Sequence, residues 1–416
     1  MTFPTETSAQ GATRGRVPRR TGPSLSPNVA ALGLVSLFMG MSSAMIHALL
    51  PVFLVNVLGA SPLFIGFTEG AAESTASFMK VLSGGLSDWL GRRKPLIVLG
   101  YGLSALTKPL FALAGVPGDI LFARVIDRVG KGVRDSPRDA LLADVTPNEI
   151  RGSGFGLRGA LYTIGAVTGP LAALGIMLVS DGDYRLVFWL AVIPGVVAVA
   201  VLIRNVRDSG DGRAEKRHTI RRTDFADLGA AFWWTVAVAG LLSLARFSQA
   251  FLVVKGHSIG VQPAFLPLIF VLMNLFYAMT AYPFGALSDH TRRRLQLAVG
   301  IALLVGSDFA LAMAESMWML GLGAALWGLH MGIVQGLLSA MIANAVPKTL
   351  RGTAFGIYDL VFGAATFLAS VGAGIIWTVA GPATTFGTGA FFALLAAVML
   401  LVSTTPSKAA TSMKAG

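Results

Sequence analysis

Seven ionisable residues recur along one stretch of otherwise apolar chain: Arg124, Asp127, Arg128, Lys131, Arg134, Asp135 and Arg138. Steps of three and four residues place them on one face of a helix. Charge surrounded by apolar sequence is costly unless it faces water or a partner. Such a face can bind an anionic solute, carry a proton or close a ladder of ion pairs. A second stretch supplies complementary charge, with Glu69 and Glu73 one turn apart and Lys80 two turns beyond Glu73. Counting about 1.5 Å per residue from the helix ends, Glu69 falls level with Arg124 to Arg128 and Glu73 level with Lys131. By the same count Lys80 falls near Asp135 and Asp139. The upper group (Glu69, Glu73, Arg124, Asp127, Arg128 and Lys131) is the candidate site for substrate and protons, with Glu73 as the proton carrier. The lower group (Lys80, Arg134, Asp135, Arg138 and Asp139) reads as a gate or scaffold.

The second half of the chain offers fewer polar groups. They are Arg246 and Gln249, then Asn274 and Tyr277, then His330 and Gln335. Arg246 lies about a turn and a half from the end of its apolar run and needs a counter-charge. Arg246 and His330 complete the candidate cavity. His47 lies near the depth of Glu69. A histidine in such a place serves either as a hydrogen-bonded packing residue or as a proton relay.

These residues must be positioned by helices in a lipid bilayer. The chain has 416 residues, of which 54% are hydrophobic and only 13% charged. Its mean hydropathy is +0.69. A soluble domain of this size needs far more charge on its surface. The 49 glycines suit closely packed helices in lipid. With no cysteine there is no thiolate to build a metal site or a disulfide. Runs of about 20 apolar residues, enough to cross a bilayer, fall at 28–54, 62–86, 95–114, 118–143, 154–179 and 185–204 in the first half. In the second half they fall at 228–252, 263–286, 295–314, 317–343, 354–378 and 386–404. Backbone groups in lipid must be bonded within their own segment, so an all-α fold of twelve membrane helices is expected.

Lys and Arg cluster in alternate loops, at Arg92 to Lys94, Arg134 to Arg151, Arg204 to Arg222, Arg292 to Arg294 and Lys348 to Arg351. The opposite loops hold only Arg185 and Lys255. The bias puts both termini in the cytoplasm. It also explains the net charge of +12 without nucleic acid. Residues 1–27 read as a disordered basic tail, 28–204 and 228–404 as two six-helix bundles, 205–227 as a cytoplasmic linker and 405–416 as a second tail.

The bundles are copies of one another. Gly84-Gly85-Leu86-Ser87-Asp88 matches Gly285-Ala286-Leu287-Ser288-Asp289, and Ala143 to Pro147 matches Ala343 to Pro347. Arg151-Gly152-Ser153-Gly154-Phe155-Gly156 matches Arg351-Gly352-Thr353-Ala354-Phe355-Gly356. The offset is 200 or 201 residues each time. Six helices separate the copies, so the halves share one orientation, and a binding site between them near the midplane is expected.

The loop Gly84-x-x-x-Asp88-x-x-Gly91-Arg92-Arg93 follows the second run, and a weaker copy runs from Gly285 to Arg294. With the twelve runs it resembles the major facilitator superfamily, prokaryotic twelve-helix type, over residues 28–404. The loop is similar to that family's motif A, which latches the cytoplasmic side in the outward-facing state. The resemblance implies that role for Asp88, Gly91, Arg92 and Arg93, with Asp289 in the second copy. Trp89 replaces the usual basic residue, and Arg292 stands where Gly91 stands in the first copy. Arg158 and Asp359, near cytoplasmic helix ends, are expected to form a gating pair. Gly165, Gly169 and Pro170 are similar to motif C of proton-coupled exporters, although Ala172 and Ala173 replace its final glycines. A plain helix-packing face fits these residues as well. Arg124 matches the arginine of motif B, implicated in proton coupling. Lys108 and Asp308 fall on outer helices of the family, where Lys108 is expected to snorkel.

The resemblance implies a multi-pass secondary transporter of the inner membrane. No Walker sequence is present to bind ATP, so ion coupling is expected. The expected activity is proton-coupled efflux of a small organic molecule by antiport. The alternative is proton-coupled uptake of an organic anion. A membrane enzyme is a remote alternative, since no HExxH or GxSxG is present; a sensor is another. The expected partners are a small-molecule substrate, protons and the lipid bilayer, with no cofactor, metal or nucleic acid, and the chain is expected to be a monomer.

Overall fold

The computed structural model describes residues 26–147, 150–208, 228–287, 293–347 and 350–402. Most of both expected tails, most of the expected linker and Asp289 lie outside the described residues. Among the described residues every regular element is helical.

Proline and side-chain caps set many of the helix starts. Helix α1 spans Pro27–His47 and α2 Leu50–Asn56. Helix α3 spans Pro62–Leu90, and its Ser61 cap accepts a bond from the Phe64 N–H at 3.2 Å. Helices α4 (Lys94–Leu106), α5 (Lys108–Leu113) and α6 (Pro117–Asp144) follow. Proline is tolerated at a first turn because the N–H it lacks has no intrahelical partner there. Helix α7 spans Arg151–Val179, α8 Tyr184–Leu190 and α9 Val192–Asn205. The second half holds α10 (Ala230–Ala245), α11 (Ala250–Ser258) and α12 (Pro267–Leu287). It continues with α13 (Arg293–Ala312), α14 (Met317–Ala345) and α15 (Arg351–Val402). Gly381, at φ 82° and ψ 174°, interrupts α15 and makes it two helices.

All twelve apolar runs fall on helices over their described residues, but five of them are not single α-helices; the run 263–286 opens with a 3-10 turn at Pro263–Phe265. The run 28–54 breaks after His47, 95–114 breaks at Thr107 and 185–204 at Ala191. The run 228–252 unwinds at residues 246–249, between α10 and α11. The motif loop is also shorter than its sequence implies. Asp88 stands in the last turn of α3, and Gly91 takes the left-handed conformation (φ 62°) that ends the helix. Nine helical segments among the described residues, four of them counted across these breaks, are long and apolar enough to cross a membrane. Charged α3 and α6 are not among them, and the interrupted α15 counts once.

Within the first half α1 packs on α7 and α9, and α6 packs on α3 and α4. Within the second half α14 packs on α12 and α13, and α15 on α10 and α13. The halves meet where α3 lies along α15 and α7 along α12. At one end an apolar cluster joins the halves, with Leu50, Phe53 and Phe188 packed against Ala250, Val254 and Trp377. At the other end the cores stay separate among the described residues. Val29, Leu32, Ile97 and Leu202 form one, and Phe232, Ile342 and Leu350 form another.

The motif-C-like glycines are contact points between α7 and α1. A Cβ on Gly165 would collide with the Leu37 carbonyl oxygen, and one on Gly169 would lie 2.5 Å from the Met41 oxygen. Backbone cannot yield as a side chain can, so small residues are required here. Gly175, on the same helix, has nothing within 4 Å of such a Cβ. Gly165→Ala is therefore expected to destabilise the protein by about 1–3 kcal/mol through overpacking. Gly175→Ala should be neutral or slightly stabilising, and thermal unfolding in detergent checks the contrast.

Candidate functional site

A cavity of about 710 Å³ lies between the halves. Helices α3 and α6 bring all of the upper group to it, as their three- and four-residue spacing requires. Glu69, Glu73, Arg124, Asp127, Arg128, Lys131 and Arg246 all line it.

Three ion pairs organise the first half. Arg124 grips Glu69 with both arms: Nε donates to Oε1 at 2.9 Å and Nη2 to Oε2 at 2.6 Å. Its Nη1 also donates to His47 Nε2. Parallel guanidinium–carboxylate bonds of this kind fix orientation as well as charge. Ser248, from the second half, donates to Glu69 Oε2 at 3.4 Å. Glu73 is held more loosely, at 3.1 Å from Arg128 and 3.8 Å from Lys131. Asp127 faces Lys108, whose ammonium lies 3.0 Å from Oδ1 and 3.2 Å from the Ser43 hydroxyl.

The last pair corrects one expectation. Lys108 does not snorkel outward; it is 0% exposed and turns toward the cavity wall. Asp127 is its counter-ion and still lines the cavity. A depth count from the shared helix ends separates Lys108 from Asp127 by only about 5 Å, so the signal was legible. Asp308 is the positional counterpart of Lys108 and is also 0% exposed. At an offset of 200 the place of Asp127 is taken by Trp327, and neither Asp308 oxygen has a hydrogen-bond partner among the described residues.

The lower group forms a ladder. Arg138 binds Asp135 at 2.7 Å and Asp139 at 2.9 Å. Arg134 donates to the Ser104 hydroxyl at 2.6 Å and lies 4.4 Å from the Tyr101 ring centre. The expected Arg158–Asp359 gate is not formed. Arg158 faces Asp139 of its own half at 3.9 Å, while Asp359 pairs with Lys80 at 2.9 Å. Lys80 therefore bridges the halves rather than joining Asp135 and Asp139. The reason is the close packing of α3 along α15, which sets Lys80 opposite α15. In the motif loop Arg93 binds Asp144 at 3.1 Å, its N–H donates to Asp208 at 3.3 Å, and Arg92 is exposed. Asp88 is half-buried.

His330 is not part of the cavity lining. It is fully buried and its Nδ1 pairs with the Gly300 carbonyl at 2.7 Å, which makes it a packing residue between α13 and α14. The second half instead presents Phe247, Phe270, Met273, Trp327 and Phe362. Of the basic residues lining the cavity, Arg246 alone has no acidic partner among the described residues.

Removing one member of a buried pair strands the other charge, whereas removing both does not. Lys108→Met and Asp127→Leu are each expected to cost about 3–5 kcal/mol. The double variant should recover most of that loss in thermal unfolding measurements.

A model described as the Major Facilitator Superfamily matches the chain twice, over residues 32–254 and 235–415. An uncharacterised MFS-type transporter of Methanocaldococcus jannaschii is 29% identical over 91% of this chain and 95% of its own. The inner membrane transport protein YajR of Escherichia coli is 25% identical over 79% of this chain and 72% of its own. Among solved structures, a bacterial homologue of the human lysosomal transporter Spinster, inward-facing and unoccupied, aligns with a TM-score of 0.71. It is 15% identical and covers 91% of this chain and 97% of its own. Two copies of a helical unit, arranged around a polar cavity and matched across nearly the whole length, place this multi-pass membrane protein in the major facilitator superfamily.

Proposed function

We propose that this secondary transporter moves a small organic solute across the inner membrane by alternating access, as a proton-coupled exporter. In this reading twelve helices cross the bilayer and both termini are cytoplasmic. Residues 28–204 and 228–404 rock as two bundles joined by the linker 205–227, and the chain works as a monomer.

One observation carries the reading: a cavity rich in paired charge lies between the halves, and among the described residues an apolar seal joins them at only one end. Given cytoplasmic termini, the unsealed end faces the cytoplasm, and an exporter loads from that side. Rocking then parts the packing of Leu50 and Phe53 against Val254 and brings the separate cores together. Lys80–Asp359 and the motif-A residues Asp88, Gly91, Arg92 and Arg93 take the gating roles at that end. Glu73 suits the proton carrier better than Glu69. Its side chain is 29% exposed, and it shares two cations, so a proton arriving from cavity water loosens Lys131. Glu69 is closed off by its two-armed bond to Arg124.

Proton-coupled uptake of an organic anion is the second reading. It is favoured by the lining, in which basic residues outnumber acidic ones. In inverted vesicles under an imposed proton gradient, accumulation of solute indicates export. Substrate-dependent alkalinisation outside intact cells indicates uptake.

With a solute found by screening the purified protein, Glu73→Gln should abolish proton-driven accumulation and leave solute counterflow in place. Unchanged proton-driven transport would remove Glu73 from the mechanism. Lys80→Asp and Asp359→Lys should each slow transport by about tenfold, as loss of a half-buried pair costs roughly 1–2 kcal/mol. The exchanged pair should restore part of the rate.

A further inference from the structure

The cavity has two unlike walls. The first half supplies most of the ion pairs, while the second supplies aromatic and thioether side chains around two charges, Asp359, which Lys80 neutralises, and Arg246. Eight basic and five acidic residues line the space, so three positive charges are in excess. Two of the three share a carboxylate with another base. Lys131 shares Glu73 with Arg128, and Arg158 shares Asp139 with Arg138. Arg246 shares nothing. No described Asp or Glu lies within ion-pairing distance of it, and its Nε has no hydrogen-bond partner.

The backbone points the same way. Arg246 ends α10 at φ −101° and ψ 71°, and helix resumes only at Ala250. Unwound backbone at membrane depth is tolerated only where it is buried in protein or lines a watery space. The Ser248 N–H in this break donates to the Ser370 hydroxyl at 3.2 Å, and the Ser248 hydroxyl reaches Glu69. The break is thus pinned to its own half and to the Glu69–Arg124 pair opposite. Phe247, its next residue, stacks edgewise on Trp327 with ring centres 6.0 Å apart.

We infer that the cavity recognises an amphipathic organic anion. Its carboxylate or sulfonate head sits at Arg246, with Lys131 as the complementary cation of the first half, and its aromatic or aliphatic body lies against Phe247, Phe270 and Trp327. This deepens the transport reading and rests on it for the movement that follows binding. An anion spanning Lys131 and Arg246 touches both halves, as a solute must if its binding is to bias their rocking. It also competes with Glu73 for Lys131, which ties solute binding to the carboxylate assigned to protons. Arg246→Gln strands no acid, so the substitution removes the anion's partner without breaking a structural pair.

The test uses the full-length protein in detergent, with 1-naphthoate, neutral 1-naphthamide and cationic 1-naphthylmethylammonium as probes. Binding is read by calorimetry and by thermal shift. The naphthoate is expected to bind at least about tenfold more tightly than either partner, the usual worth of one charge-assisted contact. Arg246→Gln should erase that preference, Lys131→Gln should reduce it, and Arg246→Lys should retain part of it. Equal or tighter binding of the amide or the cation overturns the inference, as does failure of naphthoate to bind at millimolar concentration. Wild-type affinity in Arg246→Gln does the same. Should that variant not fold, the three-probe comparison on the unmodified chain decides. Anion-selective binding with no flux in proteoliposomes would keep the site and remove the transport reading. Proton-driven flux of a cationic solute alone would do the reverse.

Discussion

The structure depends on the matching of charge between α3 and α6 at a depth where neither helix could face lipid. Glu69 with Arg124, and Glu73 with Arg128 and Lys131, are cross-helix bonds whose partners are each too costly to leave alone. Those bonds force the charged faces of both helices inward. Once they point inward, the space between the halves must hold water or further charge. The cavity is therefore a consequence of the pairing. The close glycine contacts between α1 and α7 serve the same end by holding the apolar side of the bundle tight.

The halves descend from one pattern but divide the work unequally. Helix α6 carries the charged ladder, while its counterpart α14 (Met317–Ala345) contains no Asp, Glu, Lys or Arg. The buried Lys108–Asp127 strut has no copy in the second half, where Asp308 is buried and Trp327 stands at the position equivalent to Asp127. What the second half retains at the cavity is aromatic surface, Asp359 paired with Lys80, and Arg246 at a break in the helix. One wall therefore supplies exchangeable ion pairs and the other supplies apolar surface with one open cation. A solute that engages both walls can sense the position of each half.

Much of this was legible in the residues. Hydropathy located the helical runs but not the breaks within them, because a span in lipid must be both long and apolar whether or not its helix is continuous. The helical spacing of the charges on α6 put them on one face, and depth counting paired Glu69 with Arg124 and Glu73 with Lys131. Depth counting also contained Lys108–Asp127, but the family resemblance placed Lys108 on an outer helix and drew attention away from it. Pairings between halves were less accessible. Lys80 reaches Asp359 because α3 lies along α15, and no count within one half reveals that. The break at 246–249 lies inside a continuous apolar run with no proline or glycine at the break itself, so sequence offers no punctuation there. His330 illustrates the reverse error, a lone polar residue whose hydrogen bond to Gly300 is invisible until helices are packed.

On this structure the charged side of α6 borders an aqueous space while its other side does not. The chain has no cysteine, so single introduced thiols can be read without background. Cysteines at Lys131 and Asp135, on the charged side, should react with a charged, membrane-impermeant thiol reagent added from one side of the membrane. Cysteines at Val129 and Val133, which do not line the cavity, should resist it. Inert thiols at Lys131 and Asp135, or equal labelling around the helix, would contradict the account.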